Sequence, residues 1–259
     1  MSRNRNVNGC RKGSAVSTKR PCWGFALLIL LATTGVSFAL DESPAPADPS
    51  NYLSDVSKLC EVQWPNNRMI RIVCHGHSVP AGYFKTPEVR SLDSYPHLIR
   101  EALAKRYPHA VINVIVTAIG GENSEGGAKR FDGDVLVLKP DVVLIDYSLN
   151  DRGIGLERAR AAWSSMIERA MAKGARVICL TPTPDLGAKL SDPADPLNQQ
   201  AEQVRQLAAQ YRVGLVDSLR AFNDALAAGT ELPALMSQVN HPNRAGHELV
   251  ARAVMEWFR

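Results

Sequence analysis

The stretch Arg71-Ile72-Val73-Cys74-His75-Gly76-His77-Ser78-Val79-Pro80-Ala81-Gly82-Tyr83 decides the fold. An apolar run from Met69 to Cys74 ends abruptly in small, polar, turn-forming residues. A buried strand that stops this way is how an α/β fold presents a side chain at the carboxyl edge of its sheet. Ser78 is the side chain presented here, and it is a candidate nucleophile.

Working outward, the chain alternates. Ala110–Val116, Asp141–Tyr147, Arg176–Leu180 and Val213–Val216 repeat the short β-branched or apolar pattern of the first strand. Between them lie helical spacings. Leu98, Ile99, Ala102 and Leu103 follow Ser94, a cap. Val135–Leu138 reads as a short helix end before Lys139-Pro140. Leu156 to Ala172 puts Ala159, Trp163, Met166, Ile167 and Ala170 on one face and closes at Gly174. Asp195-Pro196 opens a helix to about Tyr211, and further helices are expected near Leu219–Ala228 and Asn243–Phe258. Five short strands, each followed by a helix or structured loop, predict a five-stranded parallel sheet in a three-layer α/β/α sandwich.

Residues 1–39 stand apart. Residues 1–20 carry Arg3, Arg5, Arg11, Lys12, Lys19 and Arg20 with no acid, and an apolar run follows from Phe25 to Ala32. With Ser37-Phe38-Ala39 at cleavage-site spacing, this reads as an export signal, or as a membrane anchor through residues 23–40 if it is retained. The expected location is therefore secreted or periplasmic. Residues 40–68 read as a linker and lead-in, and 69–259 as one domain. Six of the 30 Lys/Arg and none of the 26 acids lie in residues 1–39, so the rest carries 24 bases against 26 acids. The formal +4 of the whole chain belongs to the leader and implies no nucleic-acid partner. Cys60, Cys74 and Cys179 have no metal-ligand spacing, and a bridge through Cys60 stays open.

In a parallel sheet, ligands bind beyond the carboxyl ends of the strands. After the first strand comes Gly76-His77-Ser78, and after the second Ile119-Gly120-Gly121-Glu122-Asn123-Ser124. After the third comes Ser148-Leu149-Asn150-Asp151, and near the end Asn240-His241-Pro242-Asn243-Arg244-Ala245-Gly246-His247. Each residue type has a job in acyl transfer. A serine hydroxyl needs a base, for which His241 is the candidate. The oxyanion needs donors, for which the Ser78 and Gly121 N–H groups and the Asn150 amide are candidates, each worth ~3 kcal/mol of barrier.

These four blocks, in this order, resemble the SGNH (GDSL) hydrolase superfamily over roughly residues 69–258. The resemblance implies a serine esterase with Ser78 as nucleophile, His241 as base and Gly121 and Asn150 in the oxyanion hole. It implies no metal or organic cofactor. Gly121 is preferred to Gly120 because the family glycine precedes an acidic or polar residue, as Gly121 precedes Glu122.

The chain departs from the family pattern twice. The family usually reads Gly-Asp-Ser where this chain has His77, a change in support around the site. The family's acid lies three residues before the histidine, where this chain has Gln238. Gln238 can accept a hydrogen bond from the imidazole but offers no charge, and charge loss at this role costs orders of magnitude in rate. Gln238 is thus the candidate orienting residue. Open alternatives are a replacement acid (Glu231 or Asp217), a Ser–His dyad that suffices alone, or weakened activity.

Other classes fit less well. His75-x-His77 suggests a metal-dependent hydrolase, but the chain is too short for that barrel. An α/β-hydrolase needs Gly-x-Ser-x-Gly, and position 80 is proline. The competing functions within the fold are a non-catalytic carbohydrate-binding protein and a lipase- or thioesterase-type acylhydrolase. Few aromatics and no long apolar lid favour a short acyl ester, acetyl above all, on a small molecule or polysaccharide.

Overall fold

The computed structural model describes residues 13–15, 17–19 and 44–259. The apolar part of the expected leader and the attachment segment 23–40 lie outside the described residues. Among the described residues no helix is long and apolar enough to cross a membrane.

Helix α1 (Ser54–Glu61) leads into strand β1 (Met69–Gly76). A four-residue helix α2 (Ser78–Ala81), α3 (Tyr95–Arg106) and β2 (Val111–Val116) follow. Then come α4 (Ser124–Asp134), β3 (Val142–Asp146), the short α5 (Ser148–Asp151) and α6 (Leu156–Ala172). The second half adds β4 (Arg176–Leu180), α7 (Pro196–Tyr211), β5 (Gly214–Val216) and α8 (Ser218–Ala227). It ends with α9 (Leu232–Leu235), a hairpin of β6 (Met236–Gln238) and β7 (His241–Pro242), and α10 (Arg244–Met255).

The main sheet is parallel, in the order β2-β1-β3-β4-β5. The chain first moves outward from β1 to β2, then returns to lay β3 on the other side of β1. That reversal opens a crevice at the carboxyl ends of β1 and β3, where such sheets bind ligands. Ser78 follows β1 directly and Asn150 follows β3.

Side chains alternate between two cores, as a strand's twofold period requires. Ile70, Ile72, Cys74, Val142, Leu144, Ile178 and Leu180 pack with α3, α8 and α10 on one face. Val73, Val143, Ile145, Val177 and Cys179 pack with α4, α6 and α7 on the other. This is the predicted three-layer sandwich. Strand β3 is buried along its whole length, while β2 lies at the sheet edge and leaves Val111 and Val116 exposed.

Helix α6 runs over the expected residues and buries the expected stripe, Ala159, Trp163, Met166, Ile167 and Ala170. Gly174, at φ +79°, turns the chain after it. Asp195 caps α7 by accepting from the Leu197 N–H at 2.9 Å, with Pro196 in the first position.

The pattern predicts only a helix end at Val135–Leu138, where the chain forms a 3-10 turn over Leu136–Leu138, and the whole of α4 before it is additional. Gly126, Gly127 and Gly133 lower the helix propensity of this segment. A local cap offsets part of that, and one of the glycines is required by a close tertiary contact. Asn123 caps the helix through the Gly126 N–H at 3.1 Å, and Gly127 sits where any Cβ would strike the Tyr147 ring. Cys60, Cys74 and Cys179 are buried free thiols with no bridge among them, and burial pushes the Cys60 pKa up to about 11.

Candidate active site

Strand β1 delivers Ser78 through two tight residues. A Cβ on Gly76 would lie 2.4 Å from the Asp146 carbonyl, so glycine here lets β1 and β3 run close. The His77 side chain then caps α2, its Nδ1 accepting from the Val79 N–H at 3.2 Å. Gly82, at φ +85°, ends α2 after one turn. Ser78 therefore stands at a helix start, where its backbone N–H has no intrahelical acceptor.

His241 arrives from the far end of the chain, on β7. Its Nε2 lies 2.9 Å from Ser78 Oγ. Its Nδ1 lies 3.2 Å from the backbone carbonyl of Phe84. A carbonyl can only accept, so Nδ1 carries the proton and Nε2 presents its lone pair to the serine hydroxyl. That is the tautomer a general base requires. Burial lowers the His241 pKa below the usual imidazole value, and the Phe84 carbonyl pulls it partly back.

The expectation for Gln238 needs correcting. Its Oε1 accepts from the Thr86 N–H at 2.9 Å, and its Nε2 faces Thr86 Oγ1 and Asn240 Oδ1, each at 3.3 Å. It bonds the loop that carries Phe84, and the imidazole takes a main-chain partner. Ser237 Oγ reinforces this by donating to the same Phe84 carbonyl at 2.9 Å. Asp217 is no replacement acid, being held by Arg205 and Thr181 and capping α8. No bond joins Glu231 to the ring either. Among the described residues the His241 ring bonds Ser78 and Phe84 and no carboxylate.

Gly121, at φ +78°, lies in the loop after β2, with nothing within 4 Å of where a Cβ would stand. Gly120 plays a different part. A Cβ there would meet the Tyr83 ring at 2.7 Å, and that ring also lies 5.8 Å from the His241 ring. Tyr83 thus stands between the Gly120-Gly121 loop and His241. Asn150 donates through Nδ2 to the Glu122 carbonyl at 2.9 Å, which fixes the amide and leaves its second N–H for another acceptor.

Beneath this loop lies a network that sequence reasoning missed. Arg130 grips the Glu122 carboxylate through Nε and Nη2, and Tyr147 Oη donates to the same carboxylate at 2.9 Å. Tyr147 Oη also meets His75 Nε2 at 3.1 Å, and His75 Nδ1 meets Thr117 Oγ1 at 2.8 Å. Burial lowers the His75 pKa to about 4, so this ring stays neutral. The network ties β1, β3 and α4 to the residue after Gly121. The eight-residue spacing of Glu122 and Arg130 bridges a loop and a helix, so no local pattern announces the pair. His75 and His77 do not converge: one faces Thr117 and Tyr147, the other Val79 and Asp146. His247 packs as expected of a structural residue, accepting from the Tyr95 N–H at α3's start.

A polar groove of about 510 Å³ adjoins Asn150, lined by Leu149, Arg152, Gly153, Gly187 and Asp195. Arg152 is pinned there by Asp185 at 2.8 Å. A comparable hollow between α3 and α10 lies among Arg106, Glu248 and Arg252 and contains none of the groups above.

Comparison with known proteins gives the family. A model of the GDSL-like lipase/acylhydrolase family matches residues 74–249. An acetylxylan esterase of Geobacillus stearothermophilus is 28% identical over 173 residues, which is 59% of this chain and 77% of that protein. The crystal structure of Axe2, an acetylxylan esterase from the same organism, is 25% identical and superposes with a TM-score of 0.64 over 73% of this chain and 94% of that one. An α/β hydrolase from the metagenome of Lake Arreo, Spain, at 22% identity and a TM-score of 0.64, shares the fold. With the family's matched region spanning most of the domain and covering the serine, glycine, asparagine and histidine alike, the chain belongs to the GDSL-like lipase/acylhydrolase family.

Proposed function

We propose that this serine esterase works through Ser78 as nucleophile and His241 as base, with acetyl esters of carbohydrate as its substrates. One observation carries the catalytic reading: Ser78 Oγ and His241 Nε2 stand 2.9 Å apart, with the other ring nitrogen held by the Phe84 carbonyl. As Ser78 attacks the ester carbonyl, its proton passes to Nε2. The imidazolium that forms keeps its Nδ1–H on the Phe84 carbonyl, a dipole in place of a carboxylate. The Ser78 and Gly121 N–H groups and the free Asn150 N–H take up the oxyanion, each worth ~3 kcal/mol of barrier. Collapse breaks the bond to the alcohol, which leaves with the proton from Nε2. Water repeats the sequence and frees the acid.

The substrate reading rests on the acetylxylan esterase relative and on the polar character of the groove beside Asn150. A long acyl chain needs an apolar channel, and Arg152 and Asp195 in the groove's lining disfavour one there. The test is a series of p-nitrophenyl esters from acetate to octanoate, alongside acetylated xylan, with wild type and Ser78→Ala. We expect acetate to be preferred, acetate release from xylan, and loss of turnover by at least about 10⁴-fold in the variant. Highest kcat/KM on octanoate would overturn the substrate assignment, and an active Ser78→Ala would overturn the mechanism. The basic leader and its apolar run support export as the route to such a substrate. Recovery of the protein solely from the cytoplasm with residues 1–39 intact would count against it.

A further inference from the structure

The residue before the nucleophile is buried, and so is its neighbour Asp146, at the end of β3. His77 Nδ1 accepts from the Val79 N–H, so that nitrogen carries no proton and Nε2 does. Nε2 faces Asp146 Oδ1 at 3.3 Å, within ion-pair range though off hydrogen-bond alignment. Asp146 Oδ2 accepts from Tyr95 Oη at 3.2 Å. The groups facing this carboxylate are thus His77 from the β1–α2 junction and Tyr95 from α3, and among the described residues no lysine or arginine pairs with it. The register of the sheet sets Gly76 opposite Asp146, so the carboxylate sits directly beside the turn that aims Ser78.

We propose that Asp146 is a positioning residue for the nucleophile, acting through His77. The carboxylate holds the imidazole in the Nε2–H tautomer. Only that tautomer leaves Nδ1 free to cap the helix turn that begins at Ser78. The pair spans the β1–α2 junction and the end of β3. Only one polarity is available at the joint: His77 Nε2 carries the hydrogen and faces Asp146 Oδ1, which can only accept. The proposal rests on Ser78 being the nucleophile, but its consequences for folding do not.

This yields a cycle of three variants. In His77→Asp the new carboxylate can still cap Val79, but it faces Asp146, and two buried acceptors meet with no donor between them. Asp146→Asn alone keeps an oxygen for His77 and loses the charge. His77→Asp combined with Asp146→Asn inverts the joint: the amide gives, the carboxylate receives, and Tyr95 still has an oxygen to bond. Activity on p-nitrophenyl acetate and thermal melting are measured for all three. We expect kcat to fall at least 100-fold in His77→Asp and about tenfold or less in Asp146→Asn, with KM within about twofold. In the double variant kcat should rise at least tenfold above His77→Asp, with the melting temperature recovering in parallel. Should His77→Asp fail to fold, a folded and active double variant makes the same point. A His77→Asp variant as active as wild type, or a double variant no better than His77→Asp in either readout, overturns the proposal. Recovered melting without recovered activity also overturns it, since the pair would then serve the fold and not the serine. An active Ser78→Ala would instead refute the nucleophile assignment and leave the melting cycle standing.

Discussion

His241 Nδ1 meets the main-chain carbonyl of Phe84 at 3.2 Å, in the place where a hydrolase of this kind ordinarily sets a carboxylate. A carbonyl fixes the ring and its tautomer, but it brings a partial charge to an imidazolium where an acid brings a full one. With burial already lowering the His241 pKa, the base loses its proton early as pH rises. Activity requires the neutral ring, so kcat/KM on p-nitrophenyl acetate should climb with pH along an acid limb centred below 6.5 and level off by neutrality. A limb centred at 7 or above would show that a negative charge reaches the ring after all.

Gln238 is linked to His241 at one remove: it bonds Thr86 in the loop that presents the Phe84 carbonyl to the ring. Gln238→Ala should lower kcat about tenfold and leave KM within about twofold, because the ring is misdirected while the substrate surfaces are untouched. The side chain lies toward the surface, so melting should shift little. An unchanged kcat would mean that Ser237, which donates to the same carbonyl, suffices.

Gly121 adopts φ +78° with open space where a side chain would project. Gly121→Ala places a methyl group in left-handed backbone at a cost of about 1–2 kcal/mol. Relief of that strain turns the N–H away from the oxyanion. We expect at least a tenfold loss of kcat with a melting temperature lowered by only a few degrees. A larger effect on melting than on kcat would place the residue in the fold's support.

The Glu122–Arg130 pair is mostly shielded from solvent, with Tyr147 on the same carboxylate. Breaking a fully buried pair costs about 3–5 kcal/mol, and residual solvent access here reduces that to about 2–3 kcal/mol. Glu122→Gln should therefore destabilise the domain by this amount in chemical denaturation. It should also slow turnover, since the Glu122 main chain anchors Asn150. Full activity in a destabilised variant would separate the network from the oxyanion loop.

How much of this was legible in the chain varies residue by residue. Ser78 and His241 could be read because each stands in a short block of distinctive residues after an apolar run. Helix α6 could be read because seventeen residues repeat one spacing long enough to be recognised. Helix α4 could not, because its three glycines argue against a helix and the Asn123 cap is too small a local signal to outweigh them, while the need for glycine against Tyr147 shows only in the folded chain. Phe84 was invisible for a deeper reason. Its contribution is a main-chain carbonyl, which every residue has, so no letter of the sequence marks it. Gln238 misleads because a position three before the histidine suggests a direct contact with the ring. The chain instead bulges between Met236 and Gln238 and turns that amide to Thr86.

The serine and the histidine are separated by 163 positions, and the histidine sits just ahead of α10, whose Val250, Ala251 and Val254 close one of the two cores. A chain emerging from the ribosome therefore carries its hydroxyl long before it carries anything to activate it. If Ser78 and His241 act together as proposed, a translation product that stops short of β7 should release no acetate.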